Sequence, residues 1–382
     1  MLNGISLQRQ RTVKYLGVIF DQGLTWKYHI DDLVQKCKQP LQMMRKVAKH
    51  DWGGDRASLK MMYIALIRSK IDYASFLYSN AADCHLIKRD RIQYQGIRII
   101  TGNIKNSDMD NLEAEINLMP LKYRRKVLAL LYFGKAYRMR NHPAKKVFEE
   151  FHYFEHYVTR PYAIPIEGRA KCLLSNLKIP VDKLEQFKST DLYIPRNINI
   201  KFNLLKIKSS CTSLQFQHDY KLLVENQYMN FCIFFTNGSK TDNGCGCAYF
   251  VDLDPSTTVG KKLPKTCSIF NAEMYSIVIA LKFIQSSSLS NFVMFTDSLS
   301  ALQFSKLDHW IKIRIHKVIN RCNKNIIFEW VPGHSDIKGN DKADSAAKQI
   351  IAQNRIVKLP LIFSDYKFLV KKQIYQQWQL EW

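Results

Sequence analysis

Trp330-Val-Pro-Gly-His-Ser-Asp-Ile-Lys-Gly-Asn-Asp-Lys-Ala-Asp344 closes the stretch, residues 231 to 348, around which this chain is organised. Upstream of it, in fixed order, stand Phe235-Thr-Asn-Gly-Ser239, Asn271-Ala-Glu-Met274 and Thr296-Asp-Ser298. Each block falls where a strand or helix begins or ends. Phe231 to Phe235 is an apolar run of strand length, followed by the turn residues Asn237, Gly238 and Ser239, and Gly244 to Val251 reads as its hairpin partner. Met274, Ile277, Val278, Leu281 and Ile284 make one apolar stripe at helical spacing, and Glu273 opens that helix. Asn291 to Thr296 is a strand with Asp297 at its end, and Asn325 to Val331 is another, broken by Pro332-Gly333 into a loop carrying His334. Gly339-Asn340 starts a last helix, with Ala343, Ala346, Ala347 and Ile350 along one side and Asp344 in its second turn. Strands alternating with helices predict an α/β domain, a mixed sheet with helices packed on it.

That alternation lets acidic side chains far apart in sequence converge on one edge of the sheet. Three ionised carboxylates a few ångströms apart repel one another unless a cation neutralises them. Hard, oxygen-preferring ions such as Mg2+ answer that need, and no soft ligand lies nearby to favour zinc. Two such ions about 4 Å apart clamp the attacking and leaving oxygens of a phosphodiester, so the predicted chemistry is phosphodiester hydrolysis. Taken singly, each acidic block also reads as a helix cap or turn, Asp297 ahead of the helix at Ser298 and Asp341 and Asp344 in the first turns of theirs. Four blocks in this order favour the site.

The blocks, their order and their spacing resemble the ribonuclease H domain found beside reverse transcriptases in non-LTR retrotransposons. The resemblance implies a ribonuclease H-like domain over 228 to 353, a mixed five-stranded sheet with flanking helices. It makes Glu273, Asp297 and Asp344 metal-binding catalytic carboxylates and puts His334 on a mobile loop that assists proton transfer or product release. It adds Ser239, Ser298 and Asn340 as residues touching the substrate or supporting the site. The implied cofactor is two Mg2+ ions, with Mn2+ as a substitute. One position departs from the family: where Thr-Asp-Gly-Ser is expected, this chain has Thr236-Asn237-Gly238-Ser239. An amide oxygen still ligates, but the site loses one of four negative charges, and removing such an electrostatic element costs roughly 10²- to 10³-fold in rate. Asp242, five residues on, does not replace it.

The rest of the chain is strongly basic. Its 382 residues suggest two or three domains, with 46% hydrophobic residues to build their cores. Lys and Arg number 57 against 33 Asp and Glu, a net charge of +24. Residues 1 to 225 carry 38 against 21, or +17, and the remainder 19 against 12, or +7. A nucleic-acid duplex is the natural partner of such a field, with binding that weakens as salt rises. The opening residues hold no apolar core of a signal peptide, and no apolar run approaches the roughly 18 residues that cross a bilayer. Nine cysteines, an odd number without a Cys-x-x-Cys pair, fit a reducing compartment. The expectation is an intracellular protein, of nucleus or cytoplasm, that avoids membranes.

Residues 12 to 101 read as helical and basic. Tyr15 to Asp21 is a strand, Ile30, Leu33, Val34, Cys37 and Leu41 keep helical spacing, Trp52-Gly53-Gly54 breaks that helix, and Leu59 to Lys70 and Leu86 to Arg98 are further helices. Tyr15-Leu-Gly-Val18, Gly23-Leu-Thr-Trp-Lys-Tyr-His29, Trp52-Gly53, Asp72-Tyr-Ala74 and Arg98-Ile-Ile-Thr-Gly102 look like the region after the polymerase palm in jockey-like reverse transcriptases, where it acts as a thumb gripping the primer-template. The similarity reaches Arg125, giving a thumb-like region over 1 to 130. It also implies a palm motif of an aromatic residue followed by Ala-Asp-Asp. Ala81-Ala-Asp-Cys84 is no substitute for it, so the chain is not expected to polymerise DNA, and Met1 reads as an internal start in a truncated element.

From 131 to 227 the pattern is a mixed connector with prolines at 143, 161, 165, 180 and 195. His152 and His156 have metal-ligand spacing, but the surrounding Phe151, Tyr153, Phe154 and Tyr157 favour a packed surface. Residues 354 to 382 are a helical tail. Trp310 to Lys324 carries Lys312, Arg314, Lys317, Arg321 and Lys324, a candidate basic surface for the substrate. Recognition of RNA within a hybrid comes from 2′-hydroxyls and minor-groove shape. Two readings follow: a metal-dependent endonuclease that hydrolyses RNA in RNA/DNA hybrids, impaired by Asn237, or a catalytically inert remnant that binds nucleic acid.

Overall fold

The computed structural model describes residues 10–48, 53–104, 106–150, 164–186, 198–205, 211–252, 257–303 and 310–382. Chain contacts divide it into two units. Unit 1 holds residues 1–137, 141–180 and 367–382, and unit 2 holds 138–140 and 181–366. The connector expected over 131 to 227 and the tail expected over 354 to 382 are therefore each shared between the units. Trp52, and the pair His152 and His156 with the aromatic residues around them, lie outside the described residues.

Unit 1 is mainly helical. It opens with a hairpin, β1 (Thr12–Tyr15) and β2 (Val18–Asp21), where a single strand was expected. Leu16 and Gly17 both take positive φ, 45° and 81°, which closes a two-residue turn in the middle of the apolar run. The helices are α1 (Lys27–Val47), α2 (Arg56–Tyr63), α3 (Ser69–Asp72), α4 (Ser75–Tyr78), α5 (Asp83–Thr101), α6 (Met109–Glu115), α7 (Leu121–Tyr137), α8 (Pro143–Glu150) and α9 (Ile166–Asn176). The helix expected over Leu59 to Lys70 is present, but Ile64–Arg68 within it winds as one π-turn. Gly96 of α5 lets that region pack closely, since a Cβ there would sit 2.5 Å from the Tyr63 ring.

Unit 2 is built on a mixed sheet of β3 (Asn199–Lys201), β4 (Cys232–Thr241), β5 (Gly244–Val251), β6 (Thr258–Leu263), β7 (Asn291–Thr296) and β8 (Asn325–Trp330). Its order is β3-β8-β7-β4-β5-β6. The first four are mutually parallel, β5 pairs antiparallel with β4, and β6 antiparallel with β5. The sheet has six strands where five were expected. The extra one, β3, comes from the connector and is fastened by Glu329 of β8, whose carboxylate accepts from Asn203 N (2.8 Å), Asn203 Nδ2 (2.9 Å) and Tyr228 Oη (2.8 Å).

The helices of unit 2 are α10 (Ser213–Gln227), α11 (Ile269–Ser286), α12 (Leu299–Leu302), α13 (Trp310–Arg321), α14 (Lys338–Gln349) and the start of α15 (Phe363–Glu381), whose later residues belong to unit 1. Side chains alternate along β4, and the two sheet faces are covered from different helices. Phe234 touches Phe283 of α11, while Phe235 lies so near α14 that a Cβ on Gly339 would meet its ring at 2.1 Å. Phe234, Phe235, Phe250, Phe292, Phe295 and Phe328 are fully buried between these layers. Asn237-Gly238-Ser239 does not turn; β4 runs through it to Thr241. Gly238 serves the helix rather than a turn, because a Cβ there would lie 2.5 Å from Glu273 N and 2.8 Å from Ala272 C.

Candidate active site

The sheet's own register opens the site. β7 and β8 stop in the row of Thr236, Thr296 and Trp330, while β4 continues, paired on one side with β5. Asn237 therefore stands one residue past the end of the parallel strands. Asp297 follows β7 directly, and its backbone carbonyl accepts the Trp330 indole N–H at 3.2 Å, which fixes the turn.

Asn237 and Asn340 converge on Asp297: Asn237 Nδ2 donates to Oδ2 at 3.4 Å, and Asn340 Nδ2 donates to the same oxygen at 3.3 Å. Asn340 lies in the first turn of α14. Gly333 brings the following loop against the same carboxylate, since a Cβ on it would sit 2.8 Å from Asp297 Oδ2. That loop then turns at His334 and Asp336, both with positive φ, 57° and 54°. The imidazole of His334 stands close enough to Asp297 to lower its carboxyl.

Glu273 does not open its helix. α11 begins four residues earlier at Ile269, capped by Ser268, whose Oγ accepts from Asn271 N at 3.3 Å. Glu273 thus projects from the second turn and is only 7% exposed. Burial first, then the charge of Asp297 and more weakly that of Asp344, push its carboxyl well above the usual carboxylate range, while the Gly238 N–H pulls the other way. Asp297 is raised by burial and by Asp344, against the Asn340 amide and His334. Asp344 is half-buried and is held by Lys348 one turn along α14, Nζ to Oδ2 2.5 Å.

A hard cation suits this donor set, which is all oxygen. Glu273 Oε2 and Asn340 Oδ1 are buried without a hydrogen-bond partner among the described residues, and neither Glu273 nor Asp297 has an ion pair there. An unpartnered carboxylate oxygen in a buried position costs stability that a bound ion would recover. The carboxylates do not yet close into a ligand cage: among the described residues no three Asp, Glu, His or Cys side chains stand close enough to hold a metal ion. The residues fit the ion by chemistry and by electrostatic stress, with Asp344 still turned to Lys348.

The remaining expected residues have structural ties. Ser239 is buried in β4, on the same face as Asn237. Ser298 caps α12, its Oγ accepting from Ala301 N at 3.3 Å. In the basic helical stretch, Lys324 is bound to the carbonyls of Ile284 (2.8 Å) and Ser287, capping α11, and Arg314 stacks on Trp310 at 4.1 Å. Sequence reasoning missed the part of Gly333, of the Trp330 indole and of Lys348. The last had a readable signal, its i, i+4 spacing from Asp344.

The rim thus joins an acid and an amide at the ends of the parallel strands, a second amide from α14 and a buried acid on the facing helix. Residues 229–352 match the family model described as RNase H, so the chain carries an RNase H domain, in unit 2. Among curated proteins none matches the chain. No helix among the described residues is long and apolar enough to cross a membrane.

Proposed function

We propose that unit 2 is a metal-dependent endonuclease that hydrolyses RNA in RNA/DNA hybrids, carried in a non-LTR retrotransposon product whose unit 1 is a reverse-transcriptase thumb-like region. The observation behind it is Glu273, buried with one carboxylate oxygen unpartnered and stressed by Asp297 and Asp344, inside an RNase H domain. Glu273, Asp297, Asp344 and the Asn237 side-chain oxygen would hold two Mg2+, or Mn2+, ions. When bound, such ions supply Lewis-acid stabilisation of the attacking and leaving oxygens.

The chain's own residues do the positioning. Asn340 orients Asp297 through its amide, Gly238 supplies an N–H to Glu273, and Gly333 brings His334 to the rim, where its imidazole serves proton transfer or product release. Lys348 must release Asp344 for that carboxylate to turn inward.

Asn237 supports the second reading, a nucleic-acid-binding domain without turnover. Its amide donates to Asp297, so it quenches the charge that the ions would need. On this basis wild-type cleavage is slow, and Asn237→Asp raises it by roughly 10²- to 10³-fold. The test is a labelled RNA/DNA hybrid incubated with Mg2+ and each protein. Equal turnover by both would remove the role given to Asn237. Absence of cleavage by either would leave the binding reading.

A further inference from the structure

We propose that a basic cavity at the outer edge of the unit 2 sheet seats a backbone phosphate of the nucleic-acid duplex, about two nucleotides from the carboxylate rim. The nature of the ligand rests on the reading of unit 2 as a nuclease of hybrids.

The cavity has a volume of about 510 Å3 and lies between β6 and the segment that follows α14. Lys261, Lys262, Arg355 and Lys358 line it over a floor that includes Gly260 and Ile350, and no carboxylate contributes. Its wall is built, not loose. Val357 N donates to Lys262 O at 2.8 Å, Ile356 pairs with Lys262 in an isolated parallel bridge, and Lys262 Nζ donates to Gln353 O at 2.8 Å. Gly260 keeps the floor low, since a Cβ there would already touch Ile350 at 3.1 Å. Lys262 is thus committed to holding the wall. Lys261, Arg355 and Lys358 are exposed, and among the described residues none is paired with a carboxylate. Three unpaired cations around one hollow make a site for an anion with several acceptor oxygens, and phosphate has that form.

Its place follows from the register. Asn237, Ala248 and Gly260 lie in one row across β4, β5 and β6, so the cavity is two strand spacings from Asn237, about 10 Å. The helix above gives the same answer. α14 crosses β4, β5 and β6, and Ile350 follows Asp344 by six residues, about 9 Å of helical rise. Phosphates along one strand of a duplex advance about 3.4 Å each along the axis while winding around it, so two steps already cover roughly 10 Å through space. A strand with its scissile phosphate at the carboxylates therefore brings another to the cavity about two nucleotides on. The ion pair formed there would position the duplex without reading its sequence.

The test uses the full chain, with Lys261, Arg355 and Lys358 all replaced by Ala, and measures binding of a fluorescent RNA/DNA hybrid of about 20 base pairs against salt. A variant with Lys146, Lys221 and Lys282 replaced by Ala carries the same net charge and serves as control. The expected result is a slope of log affinity against log salt that falls by about one in the cavity variant, the share of a single neutralised phosphate. Affinity near 0.1 M salt falls on the order of tenfold, and the control loses clearly less. Equal losses in the two variants, or none in the first, would overturn the proposal. Calorimetry with inorganic phosphate separates the other source of the same chemistry: free phosphate binding abolished by the substitutions while hybrid affinity is retained makes this a small-anion site and also overturns it. The readout is binding, so a failure to cleave hybrid strikes the nuclease reading alone.

Discussion

Two regions of the molecule bury carboxylates, and they treat them in opposite ways. In unit 1, Glu113 is met at 2.5 Å by Gln93 Nε2, while Gln93 Oε1 takes Arg68 at 2.6 Å and Tyr63 Oη at 3.1 Å. Arg68 also reaches Met119 O, and Asp72 beside it is gripped by Arg124 through Nε and Nη2 at 2.9 and 2.7 Å. Every acid in that network has a donor. At the rim of unit 2, Glu273 is just as buried, with one oxygen facing no donor and two further acids raising its energy. A fold that pairs its acids in one core and leaves one strained in the other stabilises the first and keeps the second for a ligand.

The sharpest break of this comparison is to neutralise each rim acid in the same shape. Glu273→Gln and Asp297→Asn, each made in the Asn237→Asp background, are expected to reduce hybrid cleavage by 10³-fold or more, read as initial rate at saturating Mg2+. The thermal midpoint of Glu273→Gln should stay level or rise, since the change removes a buried carboxyl with one unpartnered oxygen, crowded by two other acids. A marked fall in the midpoint with cleavage retained would make Glu273 a structural acid like Glu113.

The next effect concerns an acid of the same unit that is fully satisfied. Glu329→Ala leaves Tyr228 Oη and both Asn203 donors without their acceptor and unfastens β3, so it should cost about 3 kcal/mol in denaturant unfolding. A change below about 1 kcal/mol would mean that β3 adds little to the sheet.

This contrast marks what the sequence makes legible. The four blocks placed Asn237 and Asp297 together because strand ends and helix starts are written in apolar runs and in Gly and Pro. The stretch Asn199–Lys201 carries a single apolar residue, and its anchor lies 126 residues away at Glu329. No local pattern encodes such a bond. The same limit hid the strand running through Gly238, where a glycine signals a turn unless the helix that presses on it is known. It also hid the π-turn at Ile64–Arg68, whose residues keep ordinary helical spacing.

In unit 1 the comparison sharpens through pH. Burial, set against the Gln93 hydrogen bond, raises the carboxyl of Glu113 from 4.5 to about 7. The folded state then holds a proton that the unfolded state has lost between those values. Stability is therefore full below about pH 4.5, falls as pH rises toward 7, and is flat beyond. The span is up to about 3 kcal/mol. Glu113→Gln should remove that slope in urea unfolding across this window. A slope unchanged in the variant would place the proton elsewhere.

The smallest effect isolates the helix that carries Glu273 from the acid itself. Ser268 caps α11 through Asn271 N, and Asp365 in turn accepts from Ser268 N at 3.2 Å, so the start of the helix is fixed from two sides. Ser268→Ala removes the side-chain acceptor and leaves the backbone bond, at a cost of about 1 kcal/mol. Because Glu273 sits in the second turn, beyond the frayed end, its position should survive. Cleavage in the Asn237→Asp background should then change less than threefold while the unfolding midpoint falls. A loss of cleavage much larger than the loss of stability would show that the cap sets the angle of the helix, and that the strained acid depends on Ser268 for its aim at the rim.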